Sequence, residues 1–327
     1  MMKIFIVGGS GFVGSHLARR LASDNHQITI GTRYAPAARR LALIRGVRVE
    51  QVDPYDLEDL TRALEGHDAV INLVGILNES GFGGGGFRRA HVKLVEKLVI
   101  SCEAARVKRL LHMSALNAGR GESFYLKTRG EAEDLIIAAF EHGQLTSTIF
   151  RPSTIFGPDD SFLNRFAGLL RLSPVLPLAR PEAKFAPVYV GDVVEAFARS
   201  LQTDASQGQT YELCGSEVWA LKELVEWVRD RLGLKRWVIG LPDTFGWLQG
   251  RAFDFVPGKP FSSDNFNSLK IDSVCTDNGF QVLGIEPWGL SEKAPSWLGQ
   301  SNRQIRYRRY RSAARRSTES PPRRDDD

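Results

Sequence analysis

The chain has 327 residues, 43% hydrophobic and 25% charged, with a formal charge of +5 at pH 7. This is an ordinary globular composition, long enough for one large domain or two packed ones, and it excludes collagen-like and low-complexity classes. Nine arginines lie from residue 303 onward against four acids (Glu319, Asp325, Asp326 and Asp327), so the excess charge belongs to the C-terminal segment and the body is neutral.

In chain order, "KIFIVG" (residues 3–8) reads as a buried strand. "FVGSHLARRLAS" reads as an amphipathic helix with Phe12, Leu17 and Leu21 among its apolar positions. Further strands are read at "QITIGTR", "VRVEQVD", "DAVINLVG", "KRLLHMSA" and "LTSTIFRP", with helical patterns at 36–45, 56–65, 88–105 and 125–142 between them. Such alternation implies βαβ crossovers, a parallel sheet and helices on both faces. After Pro152 the pattern loosens. "VYVGDVVEAFARSL" gives a strand end and a helix, "TYELCG" a further strand of the main sheet, and "ALKELVEWVRDRLG" another helix. The expected fold is α/β, a Rossmann-type doubly wound parallel sheet with a smaller, mainly helical C-terminal cap. Residues 1–151 form the dinucleotide domain, completed by 192–214. Residues 152–191 and 215–300 form the cap, and 303–327 a disordered basic tail. "GFGGGGF" (residues 81–87) is expected to be a flexible loop.

No apolar run reaches the roughly 20 residues of a membrane-spanning helix. The start at Met1, Met2 and Lys3 runs straight into a strand, with no room for a leader peptide. A cytoplasmic protein is expected, with peripheral contact on the inner face of the membrane left open. Cys102, Cys214 and Cys275 show no CxxC and no metal-ligand spacing, so no disulfide framework and no metal site are expected, and a reducing compartment fits.

The strongest chemical signal is "IFIVGGSGFVGSHLARRL". Gly8, Gly11 and Gly14 follow a strand and open a helix, with Ser10 and Phe12 in the same turn. Glycines there permit a tight turn and close approach of a diphosphate to free N–H groups at the helix start. The second strand ends in "TIGTRYAPAARR", without the acidic residue that holds a ribose 2′-OH. Arg33 takes that place and suits a 2′-phosphate, with Arg39 and Arg40 as weaker alternatives. NADP(H) is therefore preferred and NAD(H) remains possible. Asp53 closes the third strand, either accepting from an adenine amino group or serving as a turn or N-cap residue before Pro54.

These segments, with "INLVG", "RLLHMSAL", "RPSTIFGP" and "PVYVGDVVEAF", resemble the extended and atypical short-chain dehydrogenase/reductase superfamily over roughly residues 3–200. "FLNRF" and the spaced Pro-Gly, Pro, Ser, Asp-Asn and Leu run at 257–269 resemble the branch containing the NADPH-binding accessory subunit of respiratory complex I and its bacterial relatives. The resemblance implies roles. Gly75 is the cofactor-side turn, Tyr125 the family tyrosine, and Pro152 and Ser153 the segment beside the nicotinamide. Ser114 is the nearest match to the catalytic serine.

One departure matters. The family lysine four residues after the tyrosine is Arg129 here, and Lys127 falls on another helical face. Arginine can bind a ribose and favour a phenolate, but it does not readily release a proton. His91 stands where many relatives have asparagine and reads as a helix-surface residue. Two functions follow: an NADP(H)-binding protein linked to complex I or quinone metabolism in a binding or assembly role, or an active NADP-dependent oxidoreductase or nucleotide-sugar-type epimerase using Tyr125. The tail reads first as a solubilising end, then as a lipid-headgroup attractor. Nucleic acid is disfavoured because the body is neutral.

Overall fold

The computed structural model describes residues 1–257 and 259–299; the arginine-rich segment 303–327 lies outside the described residues. Seven strands form the central sheet: β1 (Lys3–Val7), β2 (Gln27–Thr32), β3 (Val47–Gln51), β4 (Ala69–Asn72), β5 (Arg109–Met113), β6 (Thr146–Pro152) and β7 (Gln209–Leu213). Their spatial order is β7-β6-β5-β4-β1-β2-β3, and every pairing is parallel. The order reverses at β1, between β2 and β4. That reversal opens a crevice at the carboxyl ends of the strands, where ligands of such sheets bind.

The strands are nearly continuous apolar runs because both faces of the sheet are covered. Ile4, Ile6, Ile28, Ile30 and Leu111 pack with Leu17, Val193 and Phe197 on one side. Phe5, Val7, Val70, Leu110 and Ile149 pack with Leu60, Leu98 and Ile136 on the other. Phe5 and Phe150 are fully buried; truncating either to alanine is expected to cost about 3–5 kcal/mol.

The helix expected at 36–45 is instead a short turn, Ala35–Ala38, followed by a single 3₁₀ turn, Leu41–Leu43. Ala38 and Leu41 anchor it, and such short pieces hold only through packing. The glycine loop is also not free. Glu79 accepts the Gly84 and Gly86 N–H groups with its two carboxylate oxygens, both at 2.7 Å. Gly85–Arg88 is helical and Phe87 is buried. The loop expected to be flexible is therefore pinned by a carboxylate five residues before its left-handed Gly84.

The cap is built from helices, among them Phe162–Leu172, Leu221–Arg231 and Asp243–Phe253, with two short strand pairs between them. Phe156, Leu163, Leu170, Phe185, Leu224 and Val228 form its own core. Among the described residues no helix is long and apolar enough to cross a membrane. No group of three or more His, Cys, Asp or Glu side chains among them could hold a metal ion.

Cys214 and Cys275 are joined in a disulfide across 61 residues of sequence. This corrects the expectation that the cysteines stay unpaired. Cys214 follows β7 at the sheet edge, and the chain around Ser273 and Asn278 returns along that edge. The Ala186 N–H donates to Ser273 O at 3.0 Å and Asn278 Nδ2 to Cys214 O at 2.9 Å. Cys102 is free and buried.

Candidate functional site

The β1–helix turn is shaped by its glycines. Gly8 has φ +77°, and a Cβ there would lie 3.0 Å from Val74 Cγ2. A Cβ on Gly14 would fall 2.5 Å from the Gly9 Cα. Only glycine at 14 therefore lets the helix sit on the turn. Gly9, which the motif spacing did not single out, provides the surface on which Gly14 rests. The Gly11 N–H closes the turn on Gly8 O at 3.1 Å. Helix Phe12–Ser23 begins on Gly11 with no side-chain cap, so its first N–H groups are offered to an anion. Ser10 is exposed on the turn. Phe12 packs edge-on to His16 and against Gly157. This cradle fits a dinucleotide diphosphate.

Beyond it, Arg33, Gln51, Val52, Asp53 and Asp59 line an open groove of about 350 Å³ at the ends of β2 and β3. Arg33 is exposed on its rim; Arg39 and Arg40 do not line it. Asp53 Oδ1 accepts the Tyr55 N–H at 3.0 Å, the turn role foreseen as an alternative. Its second carboxylate oxygen receives no hydrogen bond from the described residues. Arg89 stands 4.6 Å over the Tyr55 ring. Burial raises the Tyr55 phenol above its ordinary range while Arg89 and Arg33 pull it back, so two guanidinium charges act at this end of the crevice.

At the other end, helix Phe124–Glu141 carries Tyr125. Ser123 Oγ caps it by accepting the Leu126 N–H at 3.1 Å. Lys127 is exposed and Arg129 buried, as helical spacing requires. The Arg129 guanidinium lies 5.4 Å from the Tyr125 ring centre. Its Nη1 donates to Met113 O at 2.8 Å and Val74 O at 3.4 Å. A Cβ on Gly75 would fall 2.0 Å from Nη2, so Gly75 leaves the room that the guanidinium fills. Arg129 thus ties the end of β4 to the end of β5. Its Nε is buried without a partner, and no carboxylate among the described residues pairs with it.

Ser114 directly follows the carbonyl that Arg129 holds; its Oγ is buried and unpartnered, while its N–H donates to Phe150 O at 2.8 Å. Pro152 ends β6, and its carbonyl accepts the Leu116 N–H at 3.0 Å. Ser153 is turned toward the cap, donating to Ser273 O at 2.8 Å with Ser273 Oγ 3.0 Å away.

His91 is buried, which corrects its reading as a helix-surface residue. It lies in a π-helical turn, Arg89–Lys93, which advances the following face relative to regular helix phasing. Its Nε2 accepts the Ile76 N–H at 3.5 Å. That leaves the proton on Nδ1, directed at Thr128 Oγ1 2.9 Å away, and the hydroxyl passes its own proton to Phe124 O at 2.7 Å. Burial, with Arg129 adding, drives the His91 pKa to about 2 and His112 to about 3. Both are neutral. The Tyr125 ring meets His91 and Phe87 edge-on at 5.6 and 6.0 Å.

The C-terminal segment reaches this end too. Asp264 accepts the Phe124 N–H at 2.6 Å and the Tyr125 N–H at 3.1 Å. Asn265 Nδ2 donates to Leu77 O at 3.2 Å, and Asn78 Nδ2 to Lys259 O at 3.1 Å. The Asp-Asn pair stood out in the sequence only as a family feature; its docking role needed the three-dimensional contacts.

Residues 4–214 match the NAD-dependent epimerase/dehydratase family. The chain belongs to that family. Among related proteins is NADH dehydrogenase (ubiquinone) 1 alpha subcomplex subunit 9 of Arabidopsis thaliana, 29% identical over 307 residues, covering 87% of this chain and 74% of that protein. Its namesake from Rattus norvegicus is 26% identical over 328 residues, covering 97% and 83%. An NADPH-dependent quinone oxidoreductase from Escherichia coli, solved with NADPH, shares the fold with TM-score 0.70 at 20% identity, over 90% of this chain and 98% of that one. In this family member the β1 end of the crevice is built on the Gly8–Gly14 turn, while the tyrosine end carries an arginine held on the carbonyls of Met113 and Val74.

Proposed function

We propose that the protein holds NADP(H) as a resident cofactor and works as an accessory, binding-type component beside a membrane respiratory complex. The observation that carries this reading is Arg129. Where an active relative would place a proton-yielding lysine, a permanently charged guanidinium is buried on Met113 O and Val74 O. It stabilises the two strand ends and has little proton to give. The cradle of Gly8, Gly11 and Gly14 would hold the diphosphate, Arg33 the 2′-phosphate and the second Asp53 oxygen the adenine amino group. Bound nicotinamide supplies hydride; the protein's part is to bind and orient it. The names of the relatives support the respiratory setting.

A second reading, reduction of a carbonyl with Tyr125 as proton donor, draws on the Tyr125 ring standing beside the Arg129 cation. Mass spectrometry of the nucleotide that copurifies with the protein tests the first reading: NADP(H) retained through purification is expected, and an empty or NAD(H)-loaded protein sinks it. Oxidation of that nucleotide by carbonyl or quinone substrates, abolished by Tyr125→Phe, would establish the second.

A further inference from the structure

We infer that one face of the cap is a docking surface for an anionic lipid bilayer. The strand pair Val175–Ala179 and Trp237–Leu241 sets Trp237 beside Val175 and Ile239 beside Pro177. All four are exposed on its outer face, Trp237 by 75%. Helix Asp243–Phe253 continues the surface, tied to it by Gln249 Nε2 donating to Pro177 O at 3.1 Å.

This helix is inverted relative to an ordinary surface helix, which turns its large apolar residues inward. Gly246 and Gly250 face the protein. A Cβ on Gly246 would lie 3.0 Å from Ala179 Cβ, and one on Gly250 3.1 Å from Ser262 O. Phe245 and Leu248 face outward, 60% and 56% exposed, and Phe255 just beyond the helix is 75% exposed. Small residues seat the helix and large ones are presented. Large apolar side chains exposed together on neighbouring elements mark a docking site.

Charge decides the occupant. Arg251 lies in the helix, Lys235 and Arg236 directly precede Trp237, and Arg171 and Lys259 stand four residues before Val175 and four after Phe255. The acids of the same segments are neutralised or withdrawn: Asp243 pairs with Arg180 at 2.8 Å, and Asp254 is buried, accepting from Ser263. Cations stand on the exposed rings. The Arg251 guanidinium is 5.9 Å from the Trp247 ring, and Lys259 Nζ is 4.6 Å from that of Phe82, which in turn meets Phe255 at 5.5 Å. Rings at the acyl boundary with adjacent cations at phosphate level are the arrangement of an interfacial membrane contact. A protein-binding face is depleted of lysine instead. Lipid docking at this face is independent of the nucleotide held in the crevice.

The test uses the full-length chain, so any contribution of residues 303–327 is common to all samples. The wild type should cosediment with vesicles of phosphatidylcholine and phosphatidylglycerol and bind pure phosphatidylcholine much less. Trp237→Ser/Leu248→Ser/Phe255→Ser should weaken that binding at least about tenfold at unchanged melting temperature, and Arg251→Glu severalfold. Acyl-brominated lipid should quench wild-type tryptophan fluorescence, and less so in Trp237→Phe/Trp247→Phe. Equal binding to both vesicle types, or wild-type affinity in the folded triple variant, overturns the inference. A wild-type dimer that the triple variant dissociates reassigns the face to a second copy of the chain. If the triple variant does not fold, undiminished quenching in the tryptophan variant overturns it instead.

Discussion

Asp264 holds the helix of Tyr125 by its first turn: its two carboxylate oxygens accept the Phe124 and Tyr125 N–H groups. The residues are 139 apart in sequence, so a cap segment closes one end of the crevice. Ser123 Oγ takes a third N–H, that of Leu126, and little of the helix start is left unpaired. Asp264→Ala removes two charge-assisted bonds from a half-buried site and is expected to cost about 1–2 kcal/mol. A urea midpoint unchanged from wild type would show that the contact is not formed in solution. The Tyr125 amide should also lose hydrogen-exchange protection selectively.

Arg33 should decide the cofactor. An arginine–phosphate contact contributes about 1.5–3 kcal/mol, so Arg33→Ala should weaken NADPH binding by roughly tenfold or more and leave NADH binding nearly unchanged. Isothermal titration of the nucleotide-stripped protein reads both affinities. An unaltered NADPH-to-NADH ratio would remove Arg33 from the 2′-phosphate site.

The sheet could be read from the sequence because its strands, buried on both faces, appear as unbroken apolar runs, and because Gly8, Gly11 and Gly14 need a strand before them and a helix after. The opposition of Lys127 and Arg129 was legible too, since it follows from helical pitch alone. His91 was misplaced because its polar ring suggests a solvated face, although buried Phe87 four residues before it and Leu94 and Val95 after it share its side of the helix. Other features rest on signals that pitch and composition do not carry. Glu79 pins the glycine loop through two backbone contacts that no residue pattern announces. Cys214 and Cys275 meet only because a segment 61 residues on returns to the sheet edge. The guanidinium bonds of Arg129 go to main-chain carbonyls, which every sequence has.

His91 and His112 give the protein an acid-sensitive stability. Their folded pKa values, about 2 and about 3, lie below the ordinary 6.5 because burial opposes the charge. Below about pH 6.5 the unfolded chain takes up protons that the folded one refuses. Their contribution is therefore fully present above that pH and is lost as pH falls toward the folded values. Asp192, raised to about 6 by burial, works in the opposite sense, its contribution lost as pH rises from about 4 through 6. The variant comparison isolates the histidine. His91→Asn should flatten the fall in unfolding free energy between about pH 6.5 and 4.5 by up to about 1.4 kcal/mol per pH unit. Parallel wild-type and variant curves would mean that His91 is solvated.

Reducing the Cys214–Cys275 bond should loosen the cap more than the sheet. A cross-link closing a loop of this length contributes about 2–4 kcal/mol. The released segment includes Ser273, which bonds Ser153 and Ala186. Cys275→Ser should lower the melting temperature in oxidising buffer and abolish the effect of dithiothreitol. A wild-type melt insensitive to dithiothreitol, with free thiols confirmed by labelling, would show that the bond adds no stability.

Arg129→Lys is the sharpest test of why the tyrosine end is built as it is. Lysine keeps the charge near Tyr125, but its Nζ ends one atom short of the Nη1 that donates to both Met113 O and Val74 O. The substitution should cost about 1–3 kcal/mol through the backbone carbonyls it leaves without a donor, seen as an earlier urea midpoint. The same ammonium can yield a proton where the guanidinium cannot. If Arg129 is what silences the site, NADPH oxidation with a carbonyl or quinone acceptor should rise above wild type in Arg129→Lys and vanish again in Arg129→Lys/Tyr125→Phe. Stability lost with no gain in turnover would leave Arg129 as a strand tie only and would turn attention to Ser114, whose buried hydroxyl has no partner.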